Sequence, residues 1–166
     1  SDPAGVGAQS SSANGMRRVA ESGARFISRG DDSGTHKMEL RLWAEAGLVP
    51  AGSWYQESGQ GMGRTLGIAS EKAAYTLTDM GTFLSLKKNL SLASLMGRDP
   101  ALLNVYSVLL VDPARFPRVN AEGGTAFADY LLSPDAQAMI GRFGVDRFGE
   151  PLFIPDSGKR EEELGR

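Results

Sequence analysis

Phe26-Ile27-Ser28-Arg29-Gly30-Asp31-Asp32-Ser33-Gly34-Thr35-His36 is the stretch that decides the fold. Residues 25–28 form a short apolar-centred segment and read as a strand. The glycine-bearing turn 29–35 follows, and a helix is expected over 34–46. Its apolar positions Met38, Leu42 and Trp43 recur at helical spacing, and Gly47 is a stop. A strand running through a glycine turn into a helix start is the repeating unit of α/β proteins. It also has chemical content. A helix N-terminus carries unpaired N–H groups and a partial positive charge, which suit an anion. Gly30 and Gly34 let backbone approach a ligand. Ser28, Ser33 and Thr35 add hydroxyls, and Arg29 adds a fixed charge with several donors. The residues alone leave a second reading open, a helix capped by Asp32 or Ser33 with Arg29 in solvent.

Outward from this stretch, strands and helices alternate. Residues 1–15, rich in Gly, Ser, Ala and Asn, read as a loop or linker. A short helix is expected over 16–22, with Asn14 as cap and Gly23 as stop. Downstream, a glycine-bearing helix is expected over 59–73 and a strand over 74–78. A helix over 80–86 has Thr78 and Asp79 as caps, and the Leu/Ser alternation of 90–96 reads as a strand. The continuous apolar run 105–111 fits a buried strand. Two amphipathic helices, 120–132 and 134–143, come next, the second announced by Ser133-Pro134. Residues 148–156 read as extended, and 158–166 as a mobile, solvated, charged tail.

Composition sets limits. The chain has 166 residues, 18 Lys plus Arg against 20 Asp plus Glu, and a net charge of −2. That balance argues against a broad nucleic-acid surface, which needs a basic excess. With no Cys and one His, thiolate chemistry, disulfides and a multi-histidine metal site are excluded. Glycine is the excess residue, at 21 of 166, about twice the usual ~7%.

Other candidates carry less. Gly59-Gln60-Gly61-Met62-Gly63-Arg64-Thr65-Leu66-Gly67 lacks the Gly-Lys-Ser/Thr ending of a phosphate-binding P-loop. It reads either as a cleft lining or as a helix that packs closely. His36 reads as structural or solvent-facing, and Trp43 as core. Trp54 and Tyr55 read as core or cleft wall, and Glu57 and Glu71 lack an acid–base partner. Asp31 and Asp32 alone are too few ligands for a metal.

Three longer motifs, in order, resemble those of tungstate-binding proteins of ABC importers. They are the stretch from Phe26 to His36, Trp54-Tyr55-Gln56-Glu57-Ser58-Gly59-Gln60-Gly61-Met62-Gly63, and Ala69-Ser70-Glu71-Lys72-Ala73-Ala74-Tyr75-Thr76-Leu77-Thr78-Asp79. Residues 106–113 and 131–134 also fit the family's C-terminal region. The resemblance implies an α/β fold of the type II periplasmic-binding-protein class, in which two lobes close over an oxyanion. It makes residues 1–104 most of the second lobe, 105–156 the return crossing strand and C-terminal helices, and 157–166 a tail. The first lobe, with its threonine-rich motif, would lie largely outside this chain. It further implies ligand contacts from Arg29, Ser33, Gly34, Thr35 and Ser28. The expected ligand is tungstate or molybdate, delivered to the membrane subunits of an ABC importer. No cofactor, catalytic residue or protein-held metal is implied. The implied location is periplasmic or extracytoplasmic.

Tungstate and molybdate are fully deprotonated near neutral pH, so a selective site should offer donors only. A protonated phosphate benefits from a carboxylate acceptor. Asp31 and Asp32 are therefore expected to serve backbone N–H groups or solvent rather than the anion. The alternatives are phosphate or sulfate capture, a ligand-sensing module on the same fold, and an enzyme. Self-association through 105–111 and the faces around Phe127, Tyr130, Leu131 and Ile140 is also expected of this chain alone.

Overall fold

Two short strands, β1 (Phe26–Ser28) and β2 (Tyr55–Glu57), lie parallel in the computed structural model, which describes residues 1–97 and 99–165. Phe26 pairs with Tyr55, Ile27 with Gln56 and Ser28 with Glu57. A parallel pair needs a crossover, and α2 (Gly34–Glu45) supplies it. On the other edge of β1, Tyr75 forms a single parallel bridge with Phe26. The strand expected over 74–78 goes no further. The Thr76 hydroxyl donates to the Ile27 carbonyl at 2.7 Å, taking the acceptor that the next ladder bond would use.

Unit 1, Ser1–Leu102, holds these strands and α1 to α4. The first fifteen residues are not the expected linker. Asp2 accepts the N–H groups of Val6 and Gly7 at 2.9 and 2.8 Å and the Tyr75 hydroxyl at 2.6 Å. Ala4 and Val6 are buried in the core. Helix α1 (Ser12–Ser22) starts earlier than expected because Ser11, not Asn14, is the cap, accepting the Asn14 N–H at 3.2 Å. Gly23 ends it with φ 65°, as expected. Helix α3 (Met62–Glu71) starts later than expected, since Gly59 takes φ 61° and donates its N–H to Arg29. Helix α4 (Met80–Leu86) matches its expectation, with Asp79 accepting the Thr82 N–H at 2.7 Å. Residues 90–96 form no strand. Instead, the Leu90 N–H closes the preceding turn on the Lys87 carbonyl, and the Ser91 N–H donates to the Ser70 hydroxyl at 2.8 Å.

The core lies between α1, α2 and the strands. Phe26 meets Trp43 edge-on at 5.2 Å and stacks with Tyr55 at 6.0 Å, and Trp43 meets Trp54 at 5.5 Å. Trp54 and Tyr55 are thus core walls. Such pairs add to simple area burial.

Unit 2, Leu103–Arg166, is helical. Helices α5 (Ala121–Leu132) and α6 (Pro134–Arg142) follow the sequence reading, capped by Asn120 and Ser133. A one-turn helix, α7 (Val145–Phe148), sits between Gly144 and Gly149 within the stretch leading into the expected extended segment. Residues 105–111 are neither a strand nor buried; Tyr106 is 77% and Leu109 87% exposed. A strand is held by its neighbour's ladder, and among the described residues unit 2 offers no other strand. The tail is not a plain solvated run. Glu161–Glu163 form a 3-10 turn, and Arg160 pairs with Glu162 and Glu163 at 2.8 and 2.9 Å. Arg166 lies outside the described residues.

Candidate functional site

Both parallel strands end at one edge of the sheet, and a helix starts a few residues beyond each. The two connecting loops are tied together. Ser58 N–H donates to the Ser28 carbonyl, and Gly59 N–H to the Arg29 carbonyl, both at 2.9 Å. Gly30 is required here. Its φ is 60°, and an added Cβ would stand 2.7 Å from Glu57 Cβ. The place beyond the carboxyl ends of parallel strands is where open α/β sheets bind ligands.

The turn is organised by its own side chains. Ser33 caps α2, its Oγ accepting the His36 N–H at 3.3 Å. Asp31 Oδ1 accepts the Ser33 N–H at 3.2 Å. Asp31 Oδ2 accepts Arg29 Nη2 at 2.5 Å and Nε at 3.1 Å. The Ser33 hydroxyl first, then the Arg29 guanidinium and the Ser33 N–H, hold the Asp31 carboxyl below the usual carboxylate range. Asp32 has φ 57°, donates its N–H to His36 Nδ1 at 3.1 Å and stands 3.5 Å from Lys37 on the surface. The two acids therefore serve backbone, Arg29, Lys37 and solvent. His36 closes the turn, and its Nε2 is buried without a hydrogen-bond partner.

Among the described residues, the N–H groups of Gly34 and Thr35, the Thr35 hydroxyl and Arg29 Nη1 make no hydrogen bond. Arg29, Ser33, Gly34 and Thr35 are thus brought together at one helix start. Ser28 is different. It is 0% exposed, and its Oγ accepts the Gly30 N–H at 3.2 Å. It supports the loop from beneath rather than presenting a surface to a ligand.

The second glycine stretch divides between its two readings. A Cβ added at Gly63 would stand 3.4 Å from Leu86, while one at Gly61 or Gly67 would face open space. Ser58, Gln60, Gly63, Arg64, Gly67, Ile68 and Glu71 line a groove of about 630 Å³. Gly61 stands at the cap position before α3 and gives it no side-chain cap. No group of three or more metal-ligating side chains occurs among the described residues.

Two residues escaped the sequence reading. Ser58 bridges Thr65 at 2.8 Å and the Arg29 carbonyl at 3.3 Å; its signal was its place just past the end of a strand, as Arg29 is past β1. Glu39 is 2% exposed, with Oε1 accepting Trp43 Nε1–H at 3.0 Å and the Tyr55 hydroxyl at 2.9 Å. Its signal was an acid in the helical series Glu39, Leu42, Trp43, Ala46, all buried.

Known proteins share the sequence and fold of this chain. The profile of the PBP superfamily domain matches residues 8–135. The tungstate-binding protein TupA of Peptoclostridium acidaminophilum is 46% identical over 144 residues, 87% of this chain and 50% of the relative. The structure of the tungstate-binding protein TupA from Desulfovibrio alaskensis G20 is 39% identical with TM-score 0.81, over 94% of this chain and 64% of that one. The structure of the tungstate ABC transporter from Geobacter sulfurreducens is 36% identical with TM-score 0.70, over 86% and 60%. The chain spans about half the length of the curated relatives it matches. The similarity expected from the three motifs is found, and the chain belongs to the PBP superfamily.

Proposed function

We propose that this chain is part of a non-catalytic, extracytoplasmic substrate-binding protein that captures a tetrahedral oxyanion, tungstate or molybdate, for an ABC importer. The observation that carries the reading is the surplus of donors at the start of α2. Arg29 Nη1, the Gly34 and Thr35 N–H groups and the Thr35 hydroxyl are uncommitted, while both oxygens of Asp31 already accept hydrogen bonds. Such a set suits an anion with no proton to donate. The partial charge of the 12-residue α2 and the Arg29 guanidinium supply the attraction. The names of the relatives support tungstate as the ligand and importer membrane subunits as partners. The apolar side chains exposed in unit 2, Tyr106, Leu109, Phe127 and Tyr130 among them, support self-association of the isolated chain.

The test is calorimetric titration of the intact protein with tungstate, molybdate, sulfate and phosphate, alongside Arg29→Ala. Binding of the first two ahead of phosphate, and its loss in Arg29→Ala, are expected. Unchanged affinity in that variant would remove Arg29 from the site.

A further inference from the structure

We propose that Asp31 is a positioning residue for Arg29: it grips one edge of the guanidinium so that the other edge is held ready for the anion. The inference rests on the reading above that Arg29 contacts an oxyanion. A guanidinium has five N–H donors in a fixed fork. Asp31 Oδ2 takes the Nε edge, at 3.1 Å from Nε and 2.5 Å from Nη2. Nη1 and the second Nη2 hydrogen stay available, which is the pair a tetrahedral oxyanion takes bidentately. Asp31 is itself fixed, because Oδ1 accepts the Ser33 N–H at 3.2 Å. The Arg29 side chain is therefore anchored to the cap of α2, the same helix start that holds the free N–H groups. The two side chains are 17% and 24% exposed, partly shielded from solvent by the turn itself.

Two effects of Asp31 oppose each other. Its negative charge repels an incoming dianion, and its hydrogen bonds pre-arrange the cation that attracts it. Anchoring wins on this geometry, since the charge is already neutralised by Arg29 at contact distance, whereas an unanchored arginine loses rotamer freedom on binding. The same hydrogen bonds have a second effect. Oδ2 is engaged by Arg29 and Oδ1 by the Ser33 N–H, so less of the carboxylate is left to accept from a protonated ligand, which disfavours phosphate.

The experiment is tungstate and phosphate titration of the intact protein carrying Asp31→Asn, Asp31→Glu, Arg29→Ala and Arg29→Ala/Asp31→Asn, with thermal unfolding of each. Asn keeps the shape and an acceptor for Ser33 but turns an amide toward Arg29. Asp31→Asn is expected to bind tungstate at least tenfold more weakly and to lose part of its discrimination against phosphate. Asp31→Glu should recover part of the affinity, and the double variant should bind no more weakly than Arg29→Ala alone. A purely structural role would add its loss to that of Arg29→Ala and leave selectivity unmoved, which would overturn the proposal. So would equal or tighter tungstate binding by Asp31→Asn while Arg29→Ala loses binding. Wild-type affinity in Arg29→Ala, or no anion binding by the wild type, would instead overturn the reading of the site.

Discussion

Glu39 makes the sharpest test of how the fold supports the site. Its carboxylate is 2% exposed and accepts from Trp43 at 3.0 Å and Tyr55 at 2.9 Å, both on Oε1. Burial pushes its pKa up, and hydrogen bonds from Ser28, Trp43 and Tyr55 offset part of that rise. A carboxyl whose folded pKa lies above its unfolded value, ~4.3, binds its proton more tightly when folded. Its contribution to stability is thus full below ~pH 4.3 and is lost as pH rises through the higher folded value. Other acids work the opposite way. Asp2, Asp31, Asp99, Asp156 and Glu163 are held low by their partners, and what they contribute is lost as pH falls. The Glu39 term is isolated by difference. Glu39→Gln keeps the Oε1 acceptor and removes the charge, at a cost near ~1 kcal/mol. Glu39→Ala strands two buried donors at ~1–3 kcal/mol each, so ~2–6 kcal/mol in all, a large part of a typical 5–15 kcal/mol stability. Urea unfolding of wild type and both variants from pH 4 to 8 measures this. The stability advantage of wild type over Glu39→Gln should shrink with rising pH, by no more than ~1.4 kcal/mol per pH unit, and then level off. A pH-independent difference would refute the reasoning, as would Glu39→Ala within ~1 kcal/mol of wild type.

Gly30→Ala should lower both stability and anion affinity, because the left-handed conformation costs ~1–2 kcal/mol and the new Cβ meets Glu57 at 2.7 Å. Denaturant unfolding and a tungstate titration would show it, and wild-type values in both would contradict the close approach. Light scattering of the isolated chain should give a mass that rises with concentration and falls with Leu109→Glu, since Leu109 is 87% exposed; a clean monomer at all concentrations would count against self-association.

What the sequence made legible was local. Helices α2, α4, α5 and α6 carried their own start signals, Ser33, Asp79, Asn120 and Ser133, and each cap is made by a side chain within three residues of its donor. Arg29, Ser33, Gly34 and Thr35 were legible for the same reason, being one turn. What stayed hidden depends on distant partners. The segment 74–78 looked like a strand until Thr76 spent its hydroxyl on Ile27, 49 residues away. Periodicity in 105–111 stated that the run was apolar and left its partner unspecified, and among the described residues unit 2 holds no strand to pair it. Ser28 read as a ligand donor because its burial, 0% exposed on β1, depends on packing that the neighbouring sequence does not show.

Local and distant contacts together bear on how carboxylates could stand beside the proposed anion site. Asp31 and Glu39 would each oppose a dianion if their oxygens were open. Asp31 accepts on both, from the Ser33 N–H and from Arg29. Glu39 is sealed behind Trp43, Tyr55 and Ser28, where burial favours its neutral form. Each acid also does structural work that a neutral residue would do less well, Asp31 on the Arg29 edge and Glu39 on the elements β1, β2 and α2 together. The Asp31 and Glu39 carboxylates thus spend hydrogen bonds within the fold, while Arg29 Nη1 and the Gly34 and Thr35 N–H groups stay uncommitted. On the proposed reading, selectivity for a fully deprotonated oxyanion would follow from which hydrogen bonds the chain keeps for itself, as much as from those it leaves to the ligand.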